Sequence, residues 1–295
     1  MMILEWLTAV LYGIVEGITE WLPVSSTGHL ILIEDWLPFA FTSDAAFLAE
    51  FGEMFQVVIQ LGAILAVVIL FWGKLWPFSK GKSTAEKRNT WSLWFKVIIA
   101  SVPAALIGIV GDKILEKISG KDIDGWLYNS FVVAAALILY GIAFIVIEHF
   151  HRGKMARVES VDQISYKNAF LIGVFQTLSI VPGTSRSGST ILGSMLLGLS
   201  RTTGAEFSFF MAIPAMVGAS GIKLIGFGSW VAEQGIAVPG DAWVVLAIGF
   251  LVSFLVSLAA IRFLMDFVKK HSFASFGIYR IALGILVLIL WLVRK

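Results

Sequence analysis

The 295-residue chain contains no cysteine, so neither a disulfide framework nor a thiolate metal site is open to it, and cysteine usage leaves the redox compartment undetermined. Charge is scarce as well: charged residues make up 14% of the chain, against 58% hydrophobic. A soluble domain rarely exceeds about half apolar residues. With a mean hydropathy of +0.88, the composition excludes an ordinary soluble fold and indicates an integral membrane protein. The formal net charge of +2 is too small to suggest a nucleic-acid partner. No lysine or arginine precedes Lys74. The start, MMILEWLTAVLYGIVEG, therefore lacks the basic region of a cleaved signal peptide and carries Glu5 and Glu16 instead.

What the chain has in quantity is long apolar runs. Six are long enough to cross about 30 Å of hydrocarbon as helices, over roughly 51–72, 93–111, 126–147, 206–226, 242–265 and 274–293. Two more apolar regions are broken by polar residues. Residues 3–22 lead into Pro23 and Ser25-Ser26-Thr27-Gly28, and residues 168–199 are cut at VPGTSRSGST, 181–190. Both regions, 3–37 and 168–200, are expected to be re-entrant helical hairpins, because irregular backbone at membrane depth needs protein or a wet cavity around it. The expected fold is thus an all-α membrane protein of six transmembrane helices and two hairpins. A seventh full span over 3–22 is the alternative; it would put the N-terminus inside with no basic residue to hold it there.

Orientation follows the basic loops. The 34–53 loop carries Glu34, Asp35, Asp44, Glu50 and Glu53 and is expected outside. Lys74, Lys80, Lys82, Lys87 and Arg88, then Arg152, Lys154 and Arg157, and finally Lys269 and Lys270, mark the cytoplasmic side. The 112–124 stretch mixes both signs and decides little. The first hairpin then dips in from outside and the second from inside.

An internal repeat agrees with that. Shifted by 160 residues, GIVEGITEWLPVSSTG (13–28) lies over GVFQTLSIVPGTSRSG (173–188) without a gap, so that Glu16 meets Gln176 and Ser25 meets Ser185. Each half, roughly 1–150 and 160–295 of a single membrane domain, is a hairpin followed by three spans. Three is odd, so the halves have opposite topology, an arrangement in which broken helices meet near the midplane and build a substrate site. Coincidence between two Gly/Ser-rich breaks is the bland alternative.

The breaks carry the chemistry. Glu16 and Glu20, four apart, share a helix face. Two carboxylates in apolar surroundings need a compensating cation or proton, and an oxygen-only donor pair suits Mg²⁺ or Ca²⁺. A metal-free pair in a wet vestibule is the competing reading. Ser25, Ser26, Thr27 and Gly28 stand just before a short helix, where hydroxyls and free N–H groups form an anion cradle. Ser185, Arg186, Ser187, Gly188 and Thr190 repeat that cradle and add a guanidinium, whose fork matches phosphate oxygens. Against this stand helix capping by the hydroxyls and a structural ion pair of Arg186 with Glu16 or Glu20. His29, beside the first cradle, can serve as a general acid or base. Together these residues can hold and cleave a phosphate ester or anhydride at the membrane.

EGITEWLPVSSTGH (16–29), together with PGTSRSG (182–188) and FQVVIQLGAILAV (55–67), closely resembles the bacterial undecaprenyl-diphosphate phosphatase family, integral-membrane enzymes linked to bacitracin resistance. The resemblance covers the whole chain. It implies hydrolysis of undecaprenyl diphosphate to undecaprenyl phosphate, a divalent cation, a homodimer, bacitracin as a competitor for the substrate, and a site toward the outer face of the cytoplasmic membrane. The family's acidic motif falls on Glu16 and Glu20, its hydroxyl-histidine motif on Ser25, Ser26, Thr27 and His29, and its arginine motif on Ser185, Arg186 and Ser187. Thr184 stands where relatives often have an aromatic residue. Ser26 is the candidate nucleophile with His29 as its base, and direct attack by water competes with it. A polyprenyl-phosphate flippase is the alternative function, since inverted repeats and midplane breaks suit transport equally.

Overall fold

A computed structural model describes residues 2–120, 123–127 and 129–293, the side chains of Asp35, Asp112, Leu115, Ile123 and Asp124 excepted. Lys121 and Asp122 of the mixed-charge stretch thus lie outside the described residues. Ten principal helices follow in order: α1 (Met2–Thr19), α2 (Ser26–Trp36), α3 (Ala45–Leu70), α4 (Thr84–Leu106), α5 (Ser130–His151), α6 (Tyr166–Gln176), α7 (Arg186–Leu196), α8 (Arg201–Gln234), α9 (Gly240–Lys270) and α10 (Ala274–Val293). Among the described residues there is no β-strand, only an isolated bridge between Val158 and Leu199.

Local sequence sets most of the starts. Asp44, Asn129, Ser165 and Ser200 each accept the N–H three residues on, and Ser83 with Glu86 forms a reciprocal capping box. The α8 helix stops at Gly235, whose left-handed φ of 64° is open to glycine at no steric cost. The helices outrun the apolar runs that announce them: α8 extends to Gln234 and α3 begins at Ala45. An apolar run marks the hydrocarbon layer, and a helix continues past it wherever its polar ends reach water.

Among the described residues seven helices are long and apolar enough to cross a membrane. Six correspond to the six predicted spans, and the seventh is α1, which sequence placed in a hairpin. The other broken pieces, α2, α6 and α7, have 11 residues each, about 16 Å of helix and roughly half a bilayer core.

Helices from opposite halves of the chain interlock. The α1 helix packs on α9, α3 lies against both α9 and α8, α4 packs on α6, and α5 pairs with α10. At the last of these, a Cβ on Gly141 would stand 2.7 Å from the carbonyl oxygen of Gly277, and one on Gly277 2.6 Å from that of Gly141. Backbones this close admit no side chain, the way apolar helices gain contact in lipid. One end of the molecule is tied by charge. Glu148 accepts Arg201 Nε at 2.8 Å and the Phe273 N–H at 2.7 Å, which joins α5, α8 and the α9–α10 turn, and Lys74 donates to Glu206. At the other end an aromatic cluster of Tyr12, Phe39, Phe51, Phe55 and Phe227 fills the space under the 37–44 loop. There the buried carboxylate of Glu5 accepts the Ala40 N–H.

Candidate active site

Two residues other than glycine have positive φ among the described residues: Ser25 at 74° and Ser185 at 72°. Such backbone costs about 1–3 kcal/mol and collects at functional sites. Each serine caps an 11-residue helix, its Oγ accepting the Gly28 N–H at 3.4 Å and the Gly188 N–H at 3.1 Å respectively. The caps turn the chain sharply, so both breaks face one cavity of about 660 Å³. Glu20, Ser25, Ser26 and Thr27 line it from the first break; Gln176, Ser179, Ser185 and Arg186 line it from the second.

Within that cavity the groups form a chain. Ser26 Oγ donates to Glu20 Oε2 at 3.0 Å, and Arg186 Nη2 donates to Glu20 Oε1 at 3.1 Å. Arg186 Nη1 is fixed by the Ser208 carbonyl at 2.7 Å. The Arg186–Glu20 ion pair weighed at the sequence level is therefore present, and it stands in the cavity wall. Two carboxylates four residues apart behave differently. Glu20 has both oxygens engaged, whereas Glu16 is fully buried with neither oxygen hydrogen-bonded.

The remaining predicted residues stand behind this surface. Ser187 Oγ donates to the Glu20 carbonyl at 3.1 Å and closes the end of the first arm. Thr190 is fully buried, bonded to the Arg186 carbonyl and to Ser208 Oγ. Gly188 and Gly28 contribute capped N–H groups. His29 reaches neither Ser26 nor the cavity wall. Its Nδ1 donates to the Ser25 carbonyl at 2.7 Å, which leaves Nε2 of the neutral ring to accept from Tyr279 Oη, also at 2.7 Å. The group in contact with Ser26 is thus a carboxylate, and the imidazole instead steadies the strained Ser25 backbone.

Four residues were missed from sequence: Ser208, Tyr279, Gln176 and Arg280. Arg280, fully buried in α10, donates Nη1 to the Pro23 carbonyl at 3.1 Å and Nη2 to those of Gly183 and Thr184 at 2.8 and 2.9 Å. One side chain thereby ties both breaks together. Its signal was visible, since an arginine inside a predicted span is a functional hypothesis by default.

Hydroxyls, a guanidinium and a carboxylate on one cavity wall among membrane-length helices define a class: a polytopic membrane protein with a polar pocket suited to an anionic group. Residues 9–286 match the family model described as bacitracin resistance protein BacA. The chain belongs to that family. It is 48% identical over 295 residues to the undecaprenyl-diphosphatase of Desulfitobacterium hafniense, covering 100% of this chain and 99% of the relative. It is 49% identical over 294 residues to that of Streptococcus mutans, covering 100% and 99%. To the undecaprenyl-diphosphatase 1 of Clostridioides difficile it is 48% identical over 286 residues, covering 97% and 96%.

Proposed function

We infer that this chain hydrolyses undecaprenyl diphosphate to undecaprenyl phosphate and inorganic phosphate, returning the lipid carrier to cell-wall synthesis. The observation that carries the reading is the Ser26–Glu20–Arg186 chain on a cavity wall, in a protein half identical over its whole length to undecaprenyl-diphosphatases. Bacitracin resistance goes with the family; bacitracin would act by competing for the same lipid substrate.

The geometry suggests how the residues divide the work. Phosphoryl transfer is mostly positioning and charge neutralisation. Arg186 presents its fork to the diphosphate in place of Glu20, and the Ser25, Thr27 and Ser185 hydroxyls surround the remaining oxygens. Glu20 Oε2 already accepts from the Ser26 hydroxyl at 3.0 Å and is placed to take its proton. Ser26 Oγ attacks the terminal phosphorus, its proton passes to Glu20, and the anhydride bond breaks toward undecaprenyl phosphate. Water then hydrolyses the phosphoserine to free phosphate. His29 holds the Ser25 carbonyl that orients this turn.

Two carboxylates offer themselves to a divalent cation, with no cluster of three or more His, Cys, Asp or Glu ligands among the described residues. Glu16 is a buried carboxylate with no hydrogen-bond partner, and such a group calls for positive charge. Glu16 and Glu20 would hold Mg²⁺ or Ca²⁺. The ion would supply neutralisation of the diphosphate.

The topological reading has its own support. Glu5, near the start of α1, bonds Ala40, just past the end of α2. Val158, ahead of α6, bonds Gly198 and Ser200, just past α7. In both cases a broken arm starts and finishes at one end of the molecule, as a re-entrant hairpin requires. Gly13 presses on the Gly249 carbonyl and its counterpart Gly173 on that of Ala100, so the hairpins also make matching contacts with the opposite halves, as an inverted repeat would. The cavity reaches Ile222, beside the Lys223–Glu53 pair, and so opens toward the acidic end, the outer face by the charge rule. The bacterial cytoplasmic membrane and a homodimer are implied by the family resemblance rather than by this topology.

The test is phosphate release from undecaprenyl diphosphate by purified protein in detergent, with and without chelator. Detergent has no second compartment, so activity there separates hydrolysis from lipid transport. No release in the presence of added Mg²⁺ or Ca²⁺ would overturn the reading.

A further inference from the structure

Gln176 closes α6 at the second break and is 3% exposed, yet its Oε1 has no hydrogen-bond partner. A buried carbonyl oxygen left unpaired costs stability. Gln176 nonetheless lines the cavity together with Glu20, Ser26, Ser179, Ser185 and Arg186. Position 176 also corresponds, in the 160-residue register, to Glu16. The acid stands on one arm and its neutral isostere on the other. A carboxylate at 176 would set a negative charge on the wall that Arg186 makes attractive to anions.

We propose that Gln176 is a substrate-contacting residue: its carboxamide N–H donates to a diphosphate oxygen alongside Arg186, and its carbonyl accepts from the water that phosphoryl transfer needs oriented. An amide can do both at once, a carboxylate supplies acceptors only, and leucine supplies neither. Water-positioning by a glutamine is an established device in phosphoryl transfer generally. The two arms thus divide by charge, the first holding positive charge through Glu16 and Glu20, the second receiving the anion through Arg186 and Gln176. The proposal rests on the diphosphatase reading of the cavity.

Gln176→Leu and Gln176→Glu test it, purified in detergent beside the unmodified protein. The readouts are thermal melting, kcat and KM for undecaprenyl diphosphate, and binding of inorganic phosphate by titration calorimetry. Gln176→Leu is expected to melt at or above the unmodified protein, because a buried unpaired group is gone, while kcat/KM falls about 10–100-fold. Gln176→Glu is expected to lose at least as much, with phosphate binding weakened further than in Gln176→Leu. Two results overturn the proposal. One is Gln176→Leu with kcat/KM within about twofold of the unmodified protein. The other is activity lost only in proportion to folded protein, in both variants, which is how a packing residue behaves. If the unmodified protein releases no phosphate from the lipid, the diphosphatase reading fails instead. Gln176 is then judged by phosphate binding alone, and binding unchanged in both variants overturns it.

Discussion

Arg280→Met is the sharpest probe of how the two breaks are held. The substitution keeps an unbranched side chain but removes every donor that the Pro23, Gly183 and Thr184 carbonyls now share. Each buried carbonyl left unpaired costs about 1–3 kcal/mol, so three cost on the order of 3–9 kcal/mol before relaxation. Against this, the variant no longer buries a guanidinium, and the desolvation relieved is several kcal/mol. Loss of the ring contact with Tyr140, 5.7 Å from the guanidinium carbon, adds about 1 kcal/mol more. The net expectation is a destabilisation of about 2–4 kcal/mol. Activity should suffer more than stability, because a displacement of about 1 Å in a positioned group costs on the order of 10²-fold in rate. Arg280→Lys restores the charge and can reach one or two of the carbonyls, so it should recover much of the melting temperature but little of the rate. The assay is a thermal melt in detergent beside turnover per folded molecule. A folded Arg280→Met protein with kcat near that of the unmodified protein would show that the breaks hold their shape without the arginine, and the reasoning would be wrong.

Arg186→Lys keeps the charge and loses the fork, and it should remain folded with turnover down on the order of 10²–10³-fold; normal turnover in that variant would return Arg186 to the role of a structural partner for Glu20. Excess chelator should abolish phosphate release and added Mg²⁺ or Ca²⁺ restore it. Glu20→Gln should be folded yet slower by orders of magnitude, and full turnover in chelator removes the cation from the mechanism. For topology, Thr42→Cys and Thr84→Cys are introduced singly, against no native cysteine. A membrane-impermeant thiol reagent should label the first in intact cells and the second only after permeabilisation. Labelling of both from one side breaks the inverted arrangement.

Helix content and the location of the site were legible because they rest on local signals. Six apolar runs became six helices, and the 160-residue match located two serines that share a rare backbone conformation. Hydroxyl-rich breaks ahead of short helices announced a cavity that the fold indeed lines with Glu20, Ser26 and Arg186. What local signals cannot specify is which way a side chain turns once a neighbour arrives. Ser187 and Thr190 read as cradle hydroxyls, yet Glu20 and Ser208 claim them. The pairing of Ser26 with His29 looked natural at three residues' distance. One helical turn instead carries the imidazole back to the Ser25 carbonyl and outward to Tyr279, 250 positions along the chain. Arg280 was legible as an arginine inside a predicted span, but its partners were not, lying 257, 97 and 96 positions away.

The pairing of α1 with α9 has a consequence for biogenesis. The α1 helix carries Glu5 and Glu16 and ends one residue before Glu20, and its seat, around Gly249, comes far later in the chain. The contacting positions are separated by roughly 240 residues, which at about 5–20 residues per second leaves α1 waiting on the order of 10–50 s on the ribosome. For the first 166 of those residues Glu20 lacks its Arg186 partner. The α1 helix thus reaches its final packing only once α9 exists, although it precedes α9 in synthesis.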